Sequence, residues 1–193
     1  MTPLPAPNFD AAAAAVADLL AAFHIDEGDH TVRTPERVAL AWGDILSGYR
    51  DDPAEHLAVT FSAPENPGLV IARKVRIQST CAHHLLPITG VATIAYRPRP
   101  GQRVVGLSKL TRLADGYARR LQVQENITAQ IVDAIEARLA PQWAACAITA
   151  DHGCMTLRGV RDACGDTMTY SETGEATDTD RTAFWAAHRG WRE

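Results

Sequence analysis

Two short clusters of metal-ligating side chains, about seventy residues apart, constrain this chain more than any other feature. The first is Cys81-Ala82-His83-His84 and the second is His152-Gly153-Cys154. A Cys and a His three residues apart can both reach one ion from a tight turn, and zinc takes thiolate and imidazole ligands. If both clusters bind the same ion, the fold has to place the two segments side by side.

Cys81, His84 and Cys154 would make a Cys2His zinc site with the fourth position free for water, as in catalytic sites. Residues i and i+2 of a strand share a face, which predicts that His152 and Cys154 point the same way. His83 and His152 then remain beside the metal as proton carriers. Short Cys/His clusters also arise by chance, and the sequence alone does not show that these two meet. Two thiolates favour zinc over iron or manganese.

Composition limits the classes of protein to which the chain can belong. Its 193 residues suffice for one domain with a small N-terminal extension. A hydrophobic content of 46% is that of a globular protein, and a net charge of -4 gives no support for nucleic-acid binding. No apolar run approaches the ~20 residues that cross a bilayer. With two of four cysteines beside histidines, a reducing cytoplasm is favoured over a disulfide-forming compartment.

Hydrophobic periodicity predicts helices, two strands, two helices, two strands and a last helix. The helices are expected at about 10–23, 34–48, 108–120, 124–139 and 178–188, and the strands at 70–77, 90–96, 144–150 and 167–171. This order predicts an α+β fold with an antiparallel sheet and helices packed on one face. Residues 1–33 are expected to form an N-terminal arm and helix, and residues 34–193 the main domain.

Four motifs resemble, in order, those of the GTP cyclohydrolase I family: Ser79-Thr80-Cys81-Ala82-His83-His84-Leu85-Leu86-Pro87, Gly106-Leu107-Ser108-Lys109-Leu110, Arg119-Arg120-Leu121-Gln122-Val123-Gln124-Glu125, and His152-Gly153-Cys154-Met155 with Arg158-Gly159-Val160-Arg161. The resemblance covers about residues 34–188. It implies a tunnelling fold, a homodecamer of two pentameric rings, and sites at subunit junctions. The implied reaction opens the guanine imidazole ring of GTP at C8, releases formate, and forms 7,8-dihydroneopterin triphosphate.

The resemblance also implies roles for the two clusters. Cys81, His84 and Cys154 resemble the ligands of one Zn2+ per subunit. His152 resembles the acid that protonates the purine ring as C8 is attacked, and His83 resembles a second proton carrier near the ribose. An imidazole suits both tasks because its pKa lies near the working pH.

Further positions resemble residues that bind the nucleotide. Glu125 resembles the carboxylate that accepts hydrogen bonds from guanine N1–H and the 2-amino group, which adenine lacks, and Gln124 supports the same pocket. Five positions resemble a cradle for the triphosphate, whose several negative charges require several cations. They are Arg37, Ser108, Lys109, Arg112 and Arg158.

The chain departs from the family pattern at five positions. Ala82 replaces a usual Glu, Lys74 and Thr149 replace acidic residues, Leu40 replaces a phosphate-binding Lys, and Gly153 replaces a larger residue. These departures leave open a diverged paralogue in a specialised pathway, which stops at a formamidopyrimidine or another ring-opened product, or uses a related purine nucleotide. A non-catalytic binding or regulatory protein with a structural zinc is a third alternative.

Overall fold

Helices and strands form an α+β fold in the computed structural model, which describes residues 4–26 and 28–190. The helices are α1 Phe9–Ala22, α2 Thr34–Ile45, α3 Leu107–Ala118, α4 Gln124–Leu139, α5 Gly153–Thr156 and α6 Asp178–Arg189. The strands are β1 Thr60–Ser62, β2 Val70–Cys81, β3 Pro87–Arg97, β4 Arg103–Val105, β5 Leu121–Gln122, β6 Trp143–His152 and β7 Thr167–Gly174. Two 3-10 turns, Ser47–Tyr49 and Pro53–Leu57, follow α2.

Five strands build the main sheet in the order β5-β2-β3-β6-β7. The pairs β2–β3, β3–β6 and β6–β7 are antiparallel, as predicted, whereas β5 runs parallel to its neighbour β2. Both β2 and β6 extend beyond the predicted strands, to Cys81 and His152. The polar stretch Gln78-Ser79-Thr80 stays in the strand because its backbone pairs with the start of β3. The sheet therefore delivers both clusters at strand ends.

The main core lies between the sheet and the helices α3 and α4, on the predicted single face. Ile127, Ile131 and Ile135 of α4 recur every fourth residue and are fully buried there. α6 covers part of the opposite face, where Phe184 packs in a smaller cluster with Trp143. Because β6 is covered on both faces, all its residues from Trp143 to Ala150 are buried, which explains its continuous apolar sequence.

The N-terminal helix is peripheral. α1 packs against α2 but buries none of its own residues, and Leu19 and the adjoining Phe23 are exposed. Asn8 caps α1 by accepting a hydrogen bond from the Ala11 amide. Residues 1–3 of the predicted arm lie outside the described residues, and the domain division after residue 33 stays a prediction. No helix within the described ranges is long and apolar enough to span a membrane.

A buried histidine joins α6 to the middle of the sheet. His188 is 3% exposed; its Nδ1 lies 3.0 Å from the hydroxyl of Thr93 on β3, and its Nε2 lies 3.0 Å from the hydroxyl of Thr149 on β6. Burial lowers the pKa of His188, since the charged imidazolium is poorly solvated there. The neutral ring therefore links two strands and a helix.

Replacing His188 by Leu should destabilise the fold and make the free energy of unfolding less dependent on pH. The variant leaves two buried hydroxyls without their partner, at a cost of about 1–3 kcal/mol in the free energy of unfolding. Because folding lowers the pKa of His188, the unfolded chain binds its proton more readily. The stability from the neutral ring is therefore fully present above about pH 6.5 and is lost as the pH falls below it.

Thermal unfolding of chelator-treated protein between about pH 8 and pH 5 tests this linkage. The melting temperature of the unmodified chain should fall more steeply with acidification than that of the Leu variant. His30 is exposed, so His30→Gln is the matched control and should keep the steep profile. Parallel profiles for the unmodified chain and His188→Leu would contradict the assignment.

Candidate metal centre and active site

Backbone pairing brings the two clusters together at one end of the sheet. The β2–β3 hairpin turns at residues 82–86, directly after Cys81. The start of β3 pairs with the end of β6, where Ile88 lies opposite His152. β5 pairs with the end of β2, where Cys81 lies opposite Gln122, so the first residues of α4 start beside the hairpin turn. Three segments distant in sequence therefore meet at residue 81.

Backbone hydrogen bonds hold the hairpin turn. The amide of Cys81 donates to the Leu86 carbonyl at 2.8 Å, and the amide of Leu85 donates to the Cys81 carbonyl at 2.9 Å. The amide of Ala82 donates to the Gln122 carbonyl at 2.9 Å, which ties the turn to β5. Leu85 adopts a left-handed conformation with φ of 57°, which closes the turn. The turn thereby keeps the Cys81 side chain buried and leaves His84 exposed.

Cys81, His84 and Cys154 bring their ligand atoms within 4.8 Å of one another. The Cys81 sulfur lies 3.8 Å from Nδ1 of His84. Ligand atoms about 2.0–2.3 Å from a tetrahedral zinc are themselves close to this separation, so the donor set fits the ion that the sequence predicted. All four cysteines are free thiols, as metal binding requires.

The electrostatics of the two sulfurs also suit a cation. Burial raises the pKa of Cys154, and the hydrogen bond that its S–H donates to the neighbouring Cys81, together with the charge of that sulfur, raises it further. Two thiolates at this distance repel each other, so both cannot ionise cheaply without a positive charge between them. A divalent cation supplies that charge and binds the ionised form of each thiol.

The chain reaches Cys154 by a helical turn, where strand parity predicted a continuing strand. β6 ends at His152, and Cys154 lies in the short helix α5. Gly153 is buried between them, and a β-carbon at this position would lie 3.0 Å from Cδ of Pro87. The small residue therefore lets the chain pass close over the start of β3, which gives a local reason for the glycine.

Two predicted residues lie around His84. The exposed His83 ring lies 6.2 Å from the His84 ring, centroid to centroid, in an edge-on arrangement. Arg158 donates from Nη1 to Nε2 of His84 at 3.1 Å. Because a guanidinium group only donates, this contact occupies Nε2 and leaves Nδ1 facing the Cys81 sulfur. Nδ1 is therefore the His84 nitrogen on the side of the sulfur ligands.

His152 is held by Gln124. Nε2 of His152 lies 2.7 Å from Oε1 of Gln124, whose side chain is buried at 1% exposure. The Gln124 amide nitrogen lies 3.0 Å from both the Ile148 and the Thr167 carbonyl oxygens. The sequence assigned Gln124 to a guanine pocket through its motif, and no sequence signal indicated the contact with His152.

The other predicted nucleotide-binding residues lie apart from the metal cluster. Ser108 and Lys109 are in the first turn of α3, about 15 Å along its axis from the end that leads into β5. Arg112 lines a cavity of about 190 Å³ beside Arg119, and Arg37 is exposed on α2. Within residues 4–26 and 28–190, no hydrogen bond or ion pair connects these four to the cluster. Of the remaining predicted residues, Glu125 is exposed in the first turn of α4, next to Gln124.

Two of the departures from the family pattern lie away from the cluster. Thr149 points to the α6 face of β6, where it contacts His188. Lys74 is exposed at an irregularity of β2, seven residues before Cys81 and so roughly 23 Å along the strand. Ala82 is exposed in the hairpin turn and Leu40 is exposed on α2. Lys74 and Thr149 therefore leave the metal cluster unchanged.

Comparisons with known proteins agree with this geometry. The profile of the GTP cyclohydrolase I family matches residues 12–188. A GTP cyclohydrolase 1 from Desulforamulus reducens is 48% identical over 141 residues, which cover 73% of this chain and 74% of that relative. A GTP cyclohydrolase 1 from Corynebacterium aurimucosum is 45% identical over 168 residues, which cover 86% of this chain and 85% of that relative. Because the profile spans most of the chain and the relatives match at this identity over most of their own length, the chain belongs to the GTP cyclohydrolase I family and is a hydrolase of that type.

Proposed function

We propose that this protein is a zinc-dependent GTP cyclohydrolase I, which converts GTP and water to formate and 7,8-dihydroneopterin triphosphate. One observation supports this proposal above the others. The three predicted metal ligands converge, the ring of His83 lies 6.2 Å from that of His84, and His152 ends the strand two residues before Cys154. The relatives that match the chain over most of its length are named GTP cyclohydrolase 1.

Zinc is the proposed metal, held by Cys81, His84 and Cys154. When bound, it lowers the pKa of a water molecule to near neutrality and so makes hydroxide available to attack C8. Both sulfur ligands need a reduced environment, which supports the cytoplasm as the site of action. The buried position of Cys81 keeps bulk water off one side of the ligand set.

The residues around the ion have separate tasks in this proposal. His152 protonates the purine ring nitrogen as C8 is attacked, and His83 moves protons at the ribose. Glu125, at the start of α4, accepts hydrogen bonds from guanine N1–H and the 2-amino group. Arg158 starts from a position against His84 and binds the triphosphate as a planar, permanently charged donor.

The proposed active site lies between subunits of a homodecamer built from two pentameric rings. Ser108 and Lys109 occupy the end of α3 remote from the metal turn, so a neighbouring chain would bring them to the nucleotide. The sheet supports edge-to-edge assembly because, among the described strands, β7 is an edge and β2 is paired on its outer side only at Thr80 and Cys81. Each ring interface would join two such edges.

The diverged-paralogue alternative is not favoured. It was motivated by the departures, and Lys74 and Thr149 lie away from the metal cluster. Ala82 and Leu40 are exposed replacements that leave the ligands, both histidines and Glu125 in place. A GTP cyclohydrolase I reaction that continues to the pterin is therefore the better-supported outcome.

The zinc assignment is tested by removing one ligand. Cys154→Ser should weaken zinc binding, because a serine hydroxyl does not ionise to replace the thiolate. The loss should exceed the roughly 10–100-fold that follows when a group that only hydrogen-bonds a metal ligand is removed. Zinc content by mass spectrometry and competition with a chelator measure the effect. Cys164 is exposed and outside the cluster, so Cys164→Ser is the matched control and should bind zinc normally. Equal zinc affinity in both variants would contradict the ligand set.

The reaction is tested by identifying the products of GTP. Zinc-loaded protein should release formate and give the fluorescent pterin after oxidation, with 7,8-dihydroneopterin triphosphate as the final product by mass spectrometry. His152→Asn should lower turnover by about 10²–10⁴-fold, because the proton donor is removed. Accumulation of only a ring-opened product would favour the paralogue, and a lack of GTP turnover would contradict the proposal.

The shared site is tested by mixing variants. His152→Asn and Lys109→Ala should each be nearly inactive alone. If the two side chains come from different chains, co-expression in equal amounts should restore about a quarter of the activity, because that fraction of sites receives both intact residues. Mixed oligomers that remain inactive would show that one chain supplies both residues.

A further inference from the structure

The orientation of the Gln124 side chain is settled by its surroundings. One end of its amide lies 3.0 Å from the carbonyl oxygens of Ile148 and Thr167 and 3.1 Å from the hydroxyl of Thr169. Carbonyl oxygens only accept hydrogen bonds, so the NH2 group has to be at this end. The amide oxygen Oε1 consequently faces His152.

This orientation fixes the proton on the His152 ring. An amide oxygen accepts and does not donate, so Nε2 of His152, 2.7 Å away, has to carry a hydrogen. In the neutral ring the other nitrogen, Nδ1, then carries the lone pair. Within the described parts of the chain no hydrogen bond engages Nδ1, so this atom is free to exchange a proton with a ligand.

A buried hydroxyl chain supports the amide orientation that the two carbonyl oxygens set. Thr128 on α4 donates its hydroxyl to the Gln124 backbone carbonyl at 3.0 Å, and it lies 2.6 Å from the Thr169 hydroxyl on β7. Since the Thr128 proton is used on that carbonyl, Thr169 donates to Thr128 and accepts from the Gln124 amide. Gln124 and Thr128 are each 1% exposed, so water does not compete for these bonds.

We propose that Gln124 is a positioning residue that holds His152 with its proton on Nε2, so that Nδ1 is the atom that takes up and returns the proton during ring opening. This inference rests on the proposed function, and it assigns Gln124 to His152, where the resemblance assigned it a supporting place in the guanine pocket. The proton that the attacking water loses passes to Nδ1 and from there to the purine ring nitrogen, which returns His152 to its neutral form. No net charge remains on the ring.

Solid-state NMR of protein labelled with 13C,15N-histidine tests the tautomer directly. The zinc-loaded protein is measured at about pH 8, where an ordinary histidine is neutral, and His152→Asn identifies the His152 signals by their loss. In the unmodified protein Nε2 should be protonated and Nδ1 bare. This measurement needs no variant at position 124, and a proton on Nδ1 would overturn the inference.

Gln124→Met keeps the length of the side chain and removes the amide. It should convert His152 to a mixture of tautomers, whereas Thr169→Val, which removes one of three acceptors of the amide, should leave the Nε2–H form intact. An unchanged tautomer in Gln124→Met would overturn the inference. Zinc content should be unaltered in both variants, because neither residue is a ligand.

Kinetics separate positioning from substrate contact. In Gln124→Met, kcat for GTP should fall about 10–100-fold, as expected for a misplaced proton carrier, with KM changed less than about 2-fold. A large rise in KM at unchanged kcat would assign Gln124 to guanine binding and overturn the inference. If the unmodified protein did not turn over GTP, the proposed function would fail, while the NMR result would still decide the tautomer.

Discussion

The site depends on the backbone register at one end of the sheet. Cys81 pairs with Gln122 across a parallel contact, and Ile88 pairs with His152 across an antiparallel one. These pairs bring together a hairpin turn, a helix start and a strand end. A shift of one residue in either pairing would reverse the side-chain faces and separate the ligands. The α+β fold thus positions the candidate site through backbone hydrogen bonds that involve no functional side chain.

Sequence reasoning located most of the fold and the cluster of Cys81, His84 and Cys154 that could hold a metal, because both leave periodic or chemical patterns. α4 was predicted at the residues observed, since Ile127, Ile131 and Ile135 repeat at helical spacing. The strand ends were missed because polar residues before Cys81 carry no apolar signal, although their backbones pair. Cys154 was grouped with Cys81 and His84 from ligand chemistry, and their ligand atoms converge. The separate prediction that Cys154 continues the strand of His152 was wrong, since a helical turn places it.

The contacts of Gln124 could not be predicted from the sequence. Its partners lie on β6 and β7, twenty-four to forty-five residues downstream, and only the packing of α4 against these strands brings them together. Nothing in a motif distinguishes an amide that contacts a ligand from one that orients a histidine. The residues of α2 and α3 raise a different difficulty, because in the proposed assembly their distance from the metal cluster depends on neighbouring chains.

The buried link between Thr93, His188 and Thr149 has a consequence for how this sequence can change over time. The resemblance places an acidic residue where this chain has Thr149, and here the ring of His188 occupies the space that faces it. Reverting Thr149 alone would bury a carboxylate against a histidine whose other nitrogen is already engaged by Thr93. The effects of substitutions at these three positions on the stability of the fold are therefore interdependent. Position 149 looks variable in the sequence, but its neighbour His188 restricts which side chains it can hold.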